Sequence, residues 1–456
     1  MNPEKYDRLK RLDHRHLWHP FTQMRTWMDE DPVIIERGEG NYLIDVNGRR
    51  YLDGVSSLWC NVHGHRKAEL DRALAAQAGL IAHSTMLGLG NVPATELGAE
   101  LAALAPPDLC RVFYSDSGAE AVEVAIRIAA QYFQLVGETA RTRFLTLAES
   151  YHGDTIGSVS LGFSAPFHRH VKGLLFPALK TDPPHVFRFQ RMMAPQAATD
   201  AALAAAARTI EEHRDSLAAL VIEPMMQGAA GMWAHDGAFL RGLAALARDA
   251  GALVIADEVA TGFGRTGAMF ACEHAGLAPD LLCLGKGITG GYLPLAATLA
   301  TEKIFAAFLG EPREYRAFYY GHTYTGNPLA AAVARANLAL FRDEKIIERI
   351  KPRIAQMAAG LRERFADPPY VADIRQHGLM VGIELMEDPA RRISFPPERM
   401  IGHRISVLAR AKGVIIRPLG DVLILMPPLS ISAAEIDLLL DAVRDATREI
   451  AEGGQA

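Results

Sequence analysis

Two short apolar runs, each carrying one charge at or just past its end, constrain this chain most. Leu253-Val254-Ile255-Ala256-Asp257-Glu258-Val259 closes a β-branched run on an aspartate, and Cys283-Leu284-Gly285-Lys286-Gly287-Ile288-Thr289-Gly290-Gly291 sets a lysine among glycines. Runs of this length and content read as buried strands, and a charge at a buried strand end is costly unless it finds a partner. Open α/β sheets bind ligands outside the carboxyl ends of their strands. A lysine amine with little bulk around it, beside an aspartate at a neighbouring strand end, suits pyridoxal phosphate, which takes a lysine at its carbonyl and an acid at its pyridinium nitrogen. A buried Lys–Asp ion pair without a cofactor is the bland alternative.

The rest of the chain extends the α/β reading. Helical spacing of apolar residues covers Lys67 to Ala78 and Ala94 to Ala105. Val112-Phe113-Tyr114 then runs into Ser115-Asp116-Ser117-Gly118 and a helix from Ala119 to about Val136. A Ser-Gly turn opening a helix presents free backbone N–H groups and the positive end of a dipole, which suits a phosphate, although serine is also an ordinary N-cap. Phe144-Leu145-Thr146-Leu147 leads to Tyr151-His152-Gly153-Asp154-Thr155, and residues 163–198 read as a long loop. A helix from about Thr199 to His213 precedes Leu217 to Glu223, a strand ending on a second acid. A further helix, Phe239 to Ala250, delivers the chain to Asp257. Strands alternating with helices predict a doubly wound, mainly parallel sheet.

After a long helix over about Leu329 to Arg342 the chain changes character. A charged helical run from Asp343 to Phe365 is followed by an antiparallel-looking pair, Val371 to Arg375 and Met380 to Leu385. Helix 399–412, the runs Val414 to Pro418 and Val422 to Met426, and a last helix from Ala433 to Ala451 complete a smaller α+β lobe. Near the other end, Tyr42 to Val46 and Arg49 to Leu52 flank an Asn47-Gly48 hairpin turn.

Several function classes are disfavoured. The 456 residues carry a formal charge of −5, so no basic face suggests nucleic acid. Four dispersed cysteines with no C-x-x-C pair fit a reducing, cytoplasmic compartment. No apolar run reaches ~18 residues, so no membrane-spanning helix is expected. The pairs His14/His16, His63/His65 and His168/His170 lack further ligands at zinc-type spacing, and no metal is expected. Gly262-Phe263-Gly264-Arg265-Thr266-Gly267 matches a dinucleotide fingerprint, but Asp280 begins a strand where the fingerprint acid should end one.

Ser117-Gly118, Tyr151-His152-Gly153, the run from Asp257-Glu258-Val259 to Gly267, Lys286-Gly287 and Thr323, in that order, resemble the fold-type I, class III pyridoxal-phosphate aminotransferases over essentially the whole chain. Trp18 to Met24, Ser56 to Trp59 with Asn61 to His65, Tyr151 to Thr155, Gly290 to Leu295 and Arg417-Pro418-Leu419-Gly420 look most like the branch acting on 8-amino-7-oxononanoate in biotin synthesis. The resemblance implies a homodimer with shared active sites. It also implies a large cofactor domain over residues 81–342 and a small domain at 343–456, which the N-terminal segment 1–80 joins.

Residue by residue, the resemblance implies that Lys286 carries the cofactor and that Asp257 holds the pyridine nitrogen protonated. Tyr151 and Val259 would flank the ring, with His152 and Glu223 also at the cofactor. Gly118, Ala119 and Ser117 would bind the phosphate, together with Thr323 of the second subunit. Phe21, Trp59, Asp154, Gly321 and Arg417 would meet the substrate, Arg417 by a guanidinium fork on its carboxylate. Glu223 and Arg265 are expected to form a supporting salt bridge. Phe21 lacks a hydroxyl and Leu419 an aromatic face, which leans the amino donor towards lysine over adenosylmethionine. A broad ω-amine:pyruvate transaminase, an aminomutase and a cofactor-free binding protein are the competing readings.

Overall fold

The computed structural model describes residues 3–187, 189, 193–366 and 370–453. Its centre is a seven-stranded sheet built from β1 (Leu109–Ser115), β2 (Arg143–Leu147), β3 (Leu179–Thr181), β4 (Leu217–Ile222), β5 (Leu253–Asp257), β6 (Leu281–Leu284) and β7 (Ala296–Thr301). In space the order is β1-β7-β6-β5-β4-β2-β3. The strands from β6 to β3 are parallel to their neighbours, whereas β7 is antiparallel to both β6 and β1. The sheet is therefore mainly parallel with one reversed strand.

Both faces of this sheet are covered, which is why its strands read as continuous apolar runs rather than alternations. Every residue of β4 is buried. Leu220 and Ile222 join the core with Phe239 and Leu243 of helix Gly237–Asp249, while Ala219 and Val221 point the other way, to Val122 and Ile126 of helix Gly118–Leu135. Fully burying each such large side chain is worth roughly 1.5–3 kcal/mol. The helices begin where the sequence supplies caps. Asn91 accepts from the Ala94 N–H, Asp236 from Phe239, and Asn327 from Leu329 and Ala330.

The chain's two ends meet in smaller sheets. Val414 and Ile415 pair in parallel with Leu52 and Asp53, so a C-terminal strand extends the N-terminal hairpin. That hairpin turns at Gly48, whose φ of 80° needs glycine. Val371–His377 and Met380–Leu385 form the expected antiparallel pair, and Val422–Leu425 adds a third strand.

One stretch departs from expectation, and another carried none. The supposed loop 163–198 contains helix Ala165–His168, the 3-10 turn Arg169–Leu174 and the edge strand β3, although residues 188 and 190–192 lie outside the described ones. The polar N-terminal segment includes helix Pro3–His16. No helix among the described residues is long and apolar enough to cross a membrane.

Candidate active site

Register brings the lysine and the aspartate together. β5 and β6 pair with Asp257 opposite Cys283, and the Glu258 N–H donates to the Cys283 carbonyl (2.9 Å). Asp257 ends its strand, and Lys286 follows three residues after Cys283, just past the end of the neighbouring one. Asp257 is buried and Lys286 partly so, and Lys286 has a left-handed φ of 43°. Burial lowers the Lys286 pKa, with Asp257 and Glu223 opposing the shift by their charge. Its Nζ lies 5.3 Å from the ring centroid of Trp59.

Asp257 is held on both oxygens. Oδ1 accepts from the Val259 N–H (3.1 Å) and Oδ2 from His152 Nδ1 (2.7 Å). His152 Nε2 meets the Thr146 hydroxyl (3.1 Å), which also meets Ser150 Oγ at 2.9 Å. The partnership of His152 with Asp257 was not foreseen in sequence, where the histidine stood only as a cofactor neighbour.

Glu223 is fully enclosed, and burial, reinforced by nearby Asp257, raises its pKa to about 7 against the lowering influence of His152. It accepts from the Tyr151 N–H (3.2 Å) and the Gly228 N–H (2.9 Å). The expected Glu223–Arg265 salt bridge is not formed. Arg265 instead donates to the carbonyls of Pro427 and Asn61, and its burial lowers its pKa to about 10. Backbone donors satisfy the acid and backbone acceptors the base, so neither needs the other.

A cradle for an anion opens beside this cluster. Ser117 caps helix Gly118–Leu135 in a capping box with Glu120, leaving the Gly118 and Ala119 amides without a protein acceptor among the described contacts. A Cβ on Gly118 would stand 2.3 Å from Val259 Cγ1, and one on Gly153 would stand 2.3 Å from the Ala119 Cβ. Only glycine allows those approaches. Tyr151 is half-buried, and its hydroxyl donates to Asp154 Oδ2 (2.6 Å); burial, then that bond, raises its pKa. A buried amine, a fixed carboxylate, an aromatic ring and a helix start with free amides match the carbonyl, pyridine and phosphate of pyridoxal phosphate.

The comparisons agree with this chemistry. Residues 24–447 match the class-III aminotransferase family. This chain is a class-III aminotransferase. It is 51% identical to the adenosylmethionine-8-amino-7-oxononanoate aminotransferase of Nitratidesulfovibrio vulgaris, over 98% of this chain and 83% of that protein. The crystal structure of the enzyme of the same name from Methanocaldococcus jannaschii superposes with a TM-score of 0.92 at 44% identity, covering 97% of this chain and 99% of that one. An amine transaminase from an uncultivated Pseudomonas species, solved in its PLP-bound form, gives 0.91 at 35% identity, over 95% and 98%. The protein is thus a pyridoxal-phosphate-dependent transaminase of fold-type I.

Not every expected residue of this aminotransferase lies in the cluster. Phe21, Gly321, Thr323 and Arg417 are exposed, and no described hydrogen bond, ion pair or ring contact joins them to Lys286 or Asp257. Arg417 has no ion-pair partner among the described residues. Thr323 sits on a turn whose neighbour His322 lies 3.6 Å from Glu120 and 3.8 Å from Asp116, beside the helix start. Of the histidines considered as metal ligands, His63 meets Asn337 (2.7 Å) and His65 meets Asp53 (3.0 Å), while the Ser164 N–H donates to His168 (3.1 Å).

Proposed function

We propose that this aminotransferase transfers an amino group to 8-amino-7-oxononanoate, giving 7,8-diaminononanoate in biotin synthesis. The Lys286–Asp257 pairing at adjacent strand ends carries the transaminase part of the reading, and the names of the full-length relatives support the acceptor. When bound, pyridoxal phosphate supplies an electrophilic carbonyl and an electron-withdrawing ring. The Lys286 amine, its pKa lowered by burial, would hold the group at that carbonyl and, once the donor's amine has displaced it, would move a proton to and from the substrate carbon bearing nitrogen. Asp257 holds a proton on the pyridine nitrogen, while His152 and the Val259 N–H fix its carboxylate. Tyr151 and Val259 flank the ring, Glu223 holds the Tyr151 backbone in place, and the amides of Gly118 and Ala119 with Ser117 bind the phosphate. Trp59, Asp154 and Phe21 line the channel with Gly321, and Arg417 takes the acceptor's carboxylate.

Thr323 is proposed to act across a homodimer interface. Exposed Leu80, Leu87, Leu89 and Val92 favour such an interface, since large apolar side chains left in solvent are candidates for burial against a partner. Four unpaired cysteines fit the cytoplasm. For the donor, the relatives' names favour adenosylmethionine, whereas Phe21 and Leu419 leaned towards lysine; Leu419 is partly buried against the cluster that contains Trp59. The deciding test mixes the loaded enzyme with each candidate donor and follows the cofactor absorbance over one half-reaction, then adds 8-amino-7-oxononanoate. Return of the original spectrum on adding that acceptor is expected. Turnover of simple amines with pyruvate, and none with 8-amino-7-oxononanoate, would replace this reading with a broad amine transaminase.

A further inference from the structure

The wall behind Trp59 is a short loop, and a residue far away in sequence holds it. Gly228 lies against the indole, where an added Cβ would stand 3.3 Å from Trp59 Cζ3. The loop continues through Gly231 (φ 114°) and Met232 (φ 57°), both in left-handed backbone, and for methionine that conformation is strained. Strain of this kind persists only where the surroundings fix it.

Here they do so through Arg375, on strand Val371–His377 of the C-terminal sheet. Its guanidinium donates to the Gly231 carbonyl from Nη2 (2.7 Å) and Nε (3.1 Å), and from Nε to the Met232 carbonyl (3.2 Å). The remaining face pairs through Nη1 with Glu384 (2.5 Å) and Asp373 (2.8 Å). Arg375 and Glu384 are 7% and 1% exposed, so this is an almost dry ion pair aimed at two backbone carbonyls. A planar fork suits that task, whereas an ammonium cannot span both carbonyls and both carboxylates. The approach is close: a Cβ on Gly382 would stand 2.7 Å from the Gly231 oxygen and 2.9 Å from the Met232 Cβ. Beside the clasp, Met232, Met380, Val422 and Met426 share one apolar cluster with Trp59.

We propose that Arg375, fixed by Glu384, is a positioning residue that sets the shape of the substrate channel by holding the Gly228–Met232 loop against Trp59. It governs how well a long keto acceptor seats and leaves proton transfer at Lys286 alone. This rests on the proposed place of Trp59 in the channel. Removing one partner of a buried pair destabilises strongly, so a purely structural role would show as lost stability and not as changed specificity.

The test uses the loaded full-length enzyme with Arg375→Lys and, because one orphaned charge can prevent folding, the paired replacement Arg375→Met/Glu384→Leu. KM for 8-amino-7-oxononanoate should rise tenfold or more in both. The donor half-reaction rate at saturation should stay within threefold of wild type, with an unchanged cofactor absorbance spectrum. A KM within twofold of wild type in a folded, loaded variant would overturn the proposal. So would a fall in kcat that tracks lost thermal stability, or failure of both variants to fold. Trp59→Leu separates the two readings. If it leaves KM unchanged, the channel assignment is at fault; if it raises KM while the Arg375 variants do not, the clasp is at fault.

Discussion

Replacing His152 by phenylalanine tests whether Asp257 works as a fixed charge or merely as a nearby one. The ring stays buried and similar in size, but the 2.7 Å donation to Asp257 Oδ2 disappears and only the Val259 N–H still holds the carboxylate. A hydrogen bond to a charged group is worth about 1.5–3 kcal/mol, so the proton-transfer half-reaction should slow roughly 10- to 150-fold. Thr146→Val probes the same contact one step removed. It deletes the hydroxyl that meets His152 Nε2 while leaving the Asp257 contact in place, and should cost under about 1.5 kcal/mol, the net worth of a neutral hydrogen bond. The assay is a stopped-flow half-reaction with saturating donor, read from cofactor absorbance, beside a direct measurement of cofactor binding. If His152→Phe keeps a saturating rate within twofold of wild type, with cofactor bound and spectrum unchanged, the orientation argument fails.

Gly118→Ala should weaken cofactor binding by about 1–3 kcal/mol, because its Cβ would overlap Val259, and Gly118→Ala/Val259→Ala should recover most of that loss; equilibrium titration of the apoenzyme checks both. Arg417→Ala should raise KM for 8-amino-7-oxononanoate roughly ten- to a hundredfold with little change in kcat, since its guanidinium is exposed and suits a carboxylate; an unchanged KM would remove it from the substrate site. Glu223 has a pKa raised from 4.5 to about 7 in the folded chain, so the unfolded chain releases that proton first and folding stability falls as pH rises through this window. Apo Glu223→Gln should lack that loss, so its thermal stability relative to wild type should improve between pH 4.5 and 7 by up to about 3 kcal/mol, and a difference flat with pH would show that Glu223 is not held neutral.

The parts of the site that could be read from sequence are those where one chain segment carries both the strand and the chemistry. Asp257 and Lys286 were legible because an apolar run that ends on a charge fixes where the charge emerges, and parallel register does the rest. Ser117-Gly118 was legible because a cap and a free helix start are local. Other features depended on what lies across the fold. The Glu223–Arg265 bridge was a pairing by charge, and it failed because backbone amides and carbonyls, which sequence does not advertise, reach both groups first. Strand β3 was hidden because Leu179-Lys180-Thr181 is too short to show a period. Arg375 looked like an ordinary polar position in a hairpin; only the fold brings Gly231 and Met232 to it. Thr323 is exposed in the single chain, and its proposed role depends on a second subunit.

The same cluster explains why such a site should be unstable alone and stable when loaded. Arg265, Glu223, Asp257 and His152 are buried and Lys286 is partly so, and burial shifts the pKa values of Lys286, Arg265 and Glu223 against their charged forms. Each shift is free energy that the fold supplies from the apolar packing of the sheet against its two helix layers. A lysine with a lowered pKa is a better nucleophile near neutrality for the same reason that it is a poorer contributor to stability. A ligand that places an anion at the Gly118 amides, a cationic nitrogen at Asp257 and a carbonyl at Lys286 relieves those costs together. Its binding therefore adds to stability as RT ln(1 + [L]/Kd). Reactivity and cofactor dependence thus share one physical origin, the burial of opposed charges at the ends of β4, β5 and β6.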